Sequence, residues 1–265
     1  MIGFSMVSSL FAIAIVAPEI APYGIEQSSL VDRNQFPSTT HIFGTDDLGR
    51  DIFSRVIIGT RISLYVGFTS VLAAMCAGVP IGVVAGYYQG LVDEALMRLM
   101  DAFMSFPPVL LALVIMAVLG PALNNVVLAV AIVYTPYFAR VTRSAAITAS
   151  NEPYVDAAIA RGEGDPYIIF REVLPNCMAP ILVQASINIA FAMLVEAALS
   201  FLGLGAQPPT PSWGLMINEG RGQLASSPWI VFFPGLAIAI AVIGFNLLGD
   251  GLRDVLDPKV DTVEQ

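Results

Sequence analysis

The chain has 265 residues, a formal net charge of −9 and a mean hydropathy of +0.76, with 56% hydrophobic and 12% charged residues. Soluble domains are about 45–50% apolar and about 25% charged, so this composition excludes an ordinary soluble protein and indicates an integral membrane protein. The acidic balance disfavours nucleic acid as a partner. The single histidine, His41, offers almost nothing for a zinc site or a histidine-based catalytic triad. Cys76 and Cys177 are interpreted as small core residues.

Six segments are long and apolar enough to be candidate spans, because a membrane-crossing helix needs about 20 mostly apolar residues. They cover roughly residues 1–17, 62–87, 104–120, 124–142, 178–200 and 229–249. The first could be mistaken for a signal peptide, but no basic segment precedes it and Ala17-Pro18 is a poor cleavage site. We therefore predict an all-α integral membrane fold with six transmembrane helices, the first of them at residues 1–17.

Residues 18–60 form a long polar segment between the first two spans, and we assign them to an outer loop. Its last part, residues 43–55, predicts a turn followed by a short amphipathic helix. From the sequence it remains open whether this part only caps the next span or shapes an outer vestibule. After this loop, residues 61–250 are predicted to form the core transmembrane domain.

The second span contains a ladder of small residues, formed by Gly78, Gly82 and Gly86. Such small-xxx-small ladders let two helices approach closely in lipid. The sequence leaves open whether the helix that meets this ladder belongs to the same chain or to a second membrane subunit. Residues 89–106 then predict a short amphipathic helix at the inner membrane surface, broken by Pro107-Pro108.

The largest inner loop, residues 144–175, predicts two short helices that project from the membrane. Asn151 is a candidate cap for the first helix, which has Pro153 in its first turn and runs to about Arg161. Residues 162–164, Gly-Glu-Gly, stop that helix, and Asp165-Pro166 can start the second one. The second helix is predicted to end at Leu174-Pro175.

Two further polar segments lie outside the spans. The outer loop at residues 201–228 is rich in glycine and proline, so we expect an irregular loop folded against the protein. Residues 251–265 form a polar inner tail that includes Lys259. Acidic residues are costly inside a membrane span, and Glu196 is the exception in the predicted spans. It is either a helix-end residue paired with the outer loop or a residue of the pore or gate.

Orientation follows from the basic residues in the loops. With both termini in the cytoplasm, the inner side has seven arginines and lysines and the outer side has five. This bias is small, and the stronger reason for the orientation is that it places residues 144–175 on the side where ATP is found. We therefore expect a multi-pass protein of the inner (plasma) membrane with cytoplasmic termini.

Four blocks of sequence carry a resemblance to one family. Residues 156–175 are similar to the pattern E-A-A-x-x-x-G-x9-I-x-L-P, with Asp156 in place of the opening glutamate and Glu172 at a position that is usually apolar or histidine. The other blocks lie at residues 45–51, 199–214 and 247–259. Together they resemble the C-type permease subunit of the dipeptide, oligopeptide and nickel ABC importers, over nearly the whole chain.

The resemblance implies the type I ABC importer permease fold, in which residues 144–175 form a cytoplasmic coupling-helix loop. It also implies four kinds of partner: a second, B-type permease, two P-loop ATPases, an extracytoplasmic solute-binding protein, and membrane lipid. The residues that would contact the ATPase are Asp156, Ala157, Ala158, Arg161, Gly162, Asp165 and Pro166.

No G-x-x-x-x-G-K-[ST] motif occurs in the sequence. We therefore expect a permease that is not an enzyme and has no catalytic, metal or cofactor site of its own, with ATP and Mg²⁺ bound by the partner ATPases. Dipeptides, oligopeptides, glutathione-type peptides and nickel chelates remain open as solutes. A stand-alone secondary transporter and a membrane-bound enzyme are the alternatives from other classes; the first does not explain the inner loop, and the second lacks a grouped nucleophile, base or metal set.

Overall fold

A computed structural model describes residues 1–256, and most of these residues are helical. Short 3₁₀ helices occur at Leu30–Asp32 and Arg221–Gln223. The predicted tail is described only as far as Leu256, the end of the last helix, and Lys259 lies outside the described residues. The α-helices of this part of the chain are α1 (Ile2–Ile20), α2 (Ile52–Tyr88), α3 (Gly90–Met104), α4 (Pro108–Leu119), α5 (Leu123–Ser150), α6 (Pro153–Ala160), α7 (Asp165–Tyr167), α8 (Leu174–Asn176), α9 (Met178–Phe201), α10 (Trp213–Gly220) and α11 (Trp229–Leu256).

Five helices are each long and apolar enough to cross a membrane: α1, α2, α5, α9 and α11. The predicted third span at residues 104–120 is not one straight helix. It is replaced by the pair α3 and α4, which meets the same criterion only when taken together and is bent by 88°. Pro107 and Pro108 explain the break, because a proline disfavours helical backbone in the residue before it.

Helix α2 begins earlier than the sequence predicts. No separate short helix forms between residues 43 and 55, since residues 52–55 are already the first turn of α2. Asp51 caps this turn: its Oδ2 accepts hydrogen bonds from the Ser54 amide (2.8 Å) and the Ser54 hydroxyl (2.7 Å). The boundary predicted at residue 61 therefore moves to Ile52. At 1.5 Å per residue, a 37-residue helix is about 55 Å long, which exceeds the hydrocarbon thickness of a bilayer.

The glycine ladder of α2 meets α5 of the same chain, which answers the question that the sequence left open. A Cβ atom at Gly78 would lie 2.8 Å from Cβ of Phe138, and one at Gly86 would lie 2.7 Å from Cβ of Ala146. Real Cβ atoms do not approach so closely, so only glycine allows this contact. The buried core continues from this contact through apolar residues of α5 and α9.

The N-terminal end of α2 is held by a buried ion-pair cluster. Arg55, which is 2% exposed, donates to Glu219 Oε2 of α10 (2.7 Å) and to Asp46 Oδ2 (3.1 Å). Arg50 donates to the same two carboxylates, at 2.6 Å to Asp46 and 3.1 Å to Glu219. Residues 43–55 are thus fixed onto α10 rather than forming a free cap.

The outer loop at residues 201–228 is more regular than predicted, because it contains α10. Ser212 caps this helix by accepting a hydrogen bond from the Leu215 amide (3.3 Å). The expectation that the loop folds against the protein agrees with the burial of Trp213, which is 1% exposed and donates from Nε1 to the Val56 carbonyl (3.0 Å).

Glu219→Ala tests the ion-pair cluster. The substitution removes one of the two carboxylates that neutralise buried Arg55, so we expect a loss of about 2 kcal/mol of stability, which lowers Tm by about 4–8 °C. Thermal unfolding in detergent measures it. Glu94→Ala is the matched control, because Glu94 pairs with Arg98 on an exposed surface and its loss changes stability by less than about 1 kcal/mol. Equal Tm values for the two variants would contradict the role of the cluster.

Candidate functional site: the helical hairpin after α5

The hairpin consists of α6 and the helical run from α7 to α8, and it begins where α5 ends. Asn151 does not cap α6 as predicted: its Nδ2 donates to the Ile147 carbonyl (2.7 Å) and so caps the end of α5. Glu152 occupies the N-cap position of α6 and makes no side-chain cap hydrogen bond. Pro153 opens α6, as predicted, because the first helical position needs no amide donor.

The end of α6 has the hydrogen bonds of a Schellman motif. The Glu163 amide donates to the Ala158 carbonyl (3.2 Å), and the Gly162 amide donates to the Ile159 carbonyl (2.9 Å). Gly162 has φ +80°, a left-handed conformation that side chains rarely adopt. The stop that the sequence predicts at residues 162–164 is therefore present, and Gly162 supplies its conformational freedom.

The second half of the hairpin starts at Asp165 and Pro166, as predicted, but it does not end at Pro175. It passes through a π-helical stretch at Ile168–Val173 and continues as α8 to Asn176. Cys177 follows and is fully buried, and burial raises the pKa of its thiol to about 11. The thiol is thus protonated at neutral pH and behaves as a small core side chain.

The residues predicted to contact the ATPase fall into two groups, one buried residue and six exposed ones. Ala158 is fully buried in the core of this chain, so its small side chain serves internal packing instead of lying on the open surface. Ile159 adds an apolar side chain, 55% exposed, that the sequence reasoning did not single out. The other predicted residues are exposed on the hairpin, where a partner can reach them: Asp156, Ala157, Arg161, Gly162, Asp165 and Pro166.

Arg161 lies between two carboxylates. Its Nε is 3.8 Å from Glu163 Oε1, and its Nη2 is 3.9 Å from Glu172 Oε1 on the second half of the hairpin. Glu172, which departs from the family pattern, therefore stands opposite a positive charge. These ion pairs are partly exposed and their charged atoms are 3.8 and 3.9 Å apart, so they contribute little to stability, about 0–1 kcal/mol.

The hairpin also contacts the C-terminal end of α2. The hydroxyls of Tyr87 and Tyr88 donate to Oδ1 and Oδ2 of Asp165, each at 3.1 Å. The sequence reasoning missed both tyrosines, and their only signal was an aromatic pair at the polar end of an apolar span. Asp165 is thus engaged within this chain as well as being exposed.

Two ion pairs join α3 to the C-terminal half of α5. Arg143 of α5 binds the carboxylate of Asp93, and Arg140 Nη2 donates to Asp101 Oδ1 (2.6 Å). The predicted inner amphipathic helix is present as α3. Its partners could not be read from local sequence, since the paired residues are separated by 39 and 50 positions.

Glu196 lies far from the hairpin, in the outer part of α9. It is fully buried, and the Ser200 hydroxyl donates to its Oε1 (2.7 Å) while the Ser63 hydroxyl of α2 lies 3.5 Å from Oε2. The Ser200 hydroxyl also accepts a hydrogen bond from the amide of Ala206 in the loop at residues 201–228 (3.4 Å). Glu196 therefore links α9, α2 and the outer loop, and it does not face an open surface in this conformation.

Glu196→Gln is expected to keep transport within about twofold, because the amide oxygen can still accept the Ser200 hydrogen bond and polar pairing is largely retained. Glu196→Ala is expected to cost about 1–3 kcal/mol, since it leaves buried serine hydroxyls without their acceptor. Solute uptake and Tm of the assembled complex measure the two effects. Loss of uptake in Glu196→Gln with normal assembly would instead favour the gate interpretation.

Comparisons with known proteins identify the family and the fold of the chain. The family described as "binding-protein-dependent transport system inner membrane component" matches residues 78–262. The chain belongs to this family. The permease is 46% identical over 259 residues to the dipeptide transport system permease protein DppC of Alkalihalophilus pseudofirmus, covering 98% of this chain and 85% of that protein.

A second relative of the permease is the glutathione transport system permease protein GsiD of Pectobacterium atrosepticum. It is 47% identical over 252 residues, covering 95% of this chain and 84% of that protein. Among solved structures, an inward-facing conformation of the MetNI methionine ABC transporter has a TM-score of 0.64, with 16% identity over 77% of this chain and 96% of that one. The permease therefore has the type I ABC importer membrane-subunit fold, and its place is the inner membrane.

Proposed function

We propose that this permease forms part of the pore of an ATP-driven importer for di- or oligopeptides or a related small solute. The relatives named for dipeptide and glutathione transport support the solute class, and the glutathione relative makes a glutathione-type peptide the second candidate. The nickel-chelate alternative has no such support among these relatives.

The observation that carries the proposal is the exposed hairpin on the predicted cytoplasmic side. Asp156, Ala157 and Arg161 offer charged and small exposed side chains, and Ile159 offers an apolar one. Such a mixed surface suits docking of a soluble subunit. We assign that subunit as a P-loop ATPase that binds ATP and Mg²⁺, because the sequence has no P-loop of its own.

The full assembly in this proposal contains a second, homologous permease, two ATPases and an extracytoplasmic binding protein that delivers the solute. Both termini of the permease lie in the cytoplasm. ATP binding to the ATPases shifts the population between inward-facing and outward-facing states, and the hairpin carries that shift to the spans.

A pull-down in mild detergent from the native membrane tests the proposal, with ATPase activity assayed and the co-purifying proteins identified. We expect a second permease and P-loop ATPases. Recovery of a lone chain that moves solute in liposomes without ATP would overturn the proposal and favour a secondary transporter. Uptake assays with labelled dialanine and reduced glutathione then distinguish the two solute candidates.

A further inference from the structure

The hairpin is fastened to α2 by a tyrosine clasp, which consists of Tyr87, Tyr88 and Asp165. Each oxygen of the Asp165 carboxylate accepts one tyrosine hydroxyl at 3.1 Å. The two rings pack edge to face, with centroids 5.1 Å apart. The clasp joins the last two residues of α2 to the first turn of α7.

The second half of the hairpin packs Ile168 and Val173 into the apolar core, but the start of α7 is not packed against α2 in this way. Between α2 and the second half of the hairpin lies an apolar groove of about 240 Å³, lined among others by Val83, Pro166 and Phe170. Phe170 is 70% exposed. Because this groove is open, the polar clasp is the specific contact that fixes the start of α7 on the end of α2.

The clasp completes a closed ring of contacts. Helix α5 runs directly into the hairpin, the clasp leads from the hairpin to α2, and the ladder at Gly78, Gly82 and Gly86 locks α2 onto α5. A hairpin held in such a ring cannot bend at Gly162 without breaking the clasp. Displacement of the hairpin is then transferred to α2 and α5 together.

Helix α2 is a single helix from the clasp to the ion-pair cluster at its other end, with Pro80 inside it. Its outer half carries Ser63, beside Glu196, and Arg55, which binds Glu219. We propose that Tyr87 and Tyr88 are positioning residues that make the hairpin and α2 move as one body, so that α2 transmits hairpin displacement to the outer side. This inference rests on the proposed function of the hairpin as the docking site of an ATPase.

The test compares Tyr87→Phe/Tyr88→Phe with the wild type in the full reconstituted complex. The double variant removes both hydroxyls and keeps both rings. Tyr167→Phe is the matched control, because Tyr167 lies in the same hairpin and its hydroxyl makes no hydrogen bond among the described residues. With labelled dialanine and reduced glutathione as probes, we expect the double variant to transport about 3- to 30-fold less solute per ATP hydrolysed, and the control to be unchanged.

A second readout does not depend on transport. Spin labels at Ala160→Cys and Leu72→Cys, on a Cys76→Ser background, report the distance between the hairpin and α2. We expect a narrow distance distribution in the wild type and in Tyr167→Phe, and a broader one in the double variant. An unchanged width, or an unchanged ratio of transport to hydrolysis, would overturn the proposal.

Asp165→Ala separates the clasp from a direct contact with the ATPase. Suppose that Asp165→Ala lowers the amount of solute transported per ATP hydrolysed while the double tyrosine variant leaves it unchanged. Asp165 then contacts the ATPase directly, and the clasp proposal fails. A wild-type complex that moves neither probe contradicts the proposed solute class instead, and the label distances still decide whether the hydroxyls hold the hairpin on α2.

Discussion

Gly162→Val is expected to abolish most transport while the spans stay inserted. Gly162 has φ +80°, and a left-handed conformation costs a residue with a side chain about 1–2 kcal/mol, with more strain for a β-branched one. The added side chain meets open space, so the effect comes from the backbone and not from a clash. The turn and the hairpin surface are displaced, and we expect uptake to fall at least about fivefold.

Gly164→Val is the control for this result. Gly164 lies on the same turn and has φ −80°, and its nearest neighbour to an added Cβ is Pro166 Cδ at 3.8 Å. A valine there requires no left-handed backbone, so uptake should stay near the wild-type rate. ATPase recovery in the pull-down, measured beside uptake, shows whether docking is what fails. Normal uptake in Gly162→Val would contradict the role of the hairpin in coupling.

Gly82→Leu is expected to prevent the permease from folding. A Cβ atom at Gly82 would lie 2.7 Å from Cβ of Thr142 and 2.9 Å from the Arg143 amide nitrogen, and it would also overlap the Ala139 carbonyl. Because two of these atoms belong to the backbone of α5, they cannot rotate away. The cost therefore exceeds the about 1–3 kcal/mol that is typical of overpacking.

Gly235→Leu provides the comparison within the same protein. Gly235 also lies in a long apolar helix, α11, but no atom lies within 4 Å of an added Cβ. Size-exclusion profiles and Tm in detergent should show little folded protein for Gly82→Leu and a near-normal profile for Gly235→Leu. Similar yields for the two variants would mean that α2 and α5 do not pack as closely as described.

The features predicted well are those that the chain encodes locally. The spans follow from runs of apolar residues, and the hairpin follows from Pro153, Gly162 and Pro166, which set helix starts and stops through their own backbone preferences. The type I permease fold is shown, and Asp156 and Arg161 are both exposed on the hairpin; their contact with an ATPase stays a prediction.

The features that the sequence did not predict depend on distant partners. The sequence places residues 52–60 in the polar loop before the second span, whereas in the structure they belong to α2 and Glu219, 164 positions after Arg55, neutralises that arginine inside the protein. Ala158 looked like a contact residue because local sequence does not reveal which side of α6 faces the core. Asp165 looked like a cap, and its tyrosine partners lie 77 and 78 positions earlier.

The long separation between Arg55 and Glu219 also has a consequence for biosynthesis. Asp46 can neutralise Arg55 as soon as the start of α2 is made, but Glu219 appears 164 residues later. At about 5–20 residues per second, that interval lasts about 8–33 s. During this interval, Asp46 is the only carboxylate of the cluster that has been synthesised, and it faces both Arg50 and Arg55. The outer side of the permease can therefore close only near the end of translation, after most spans have been made.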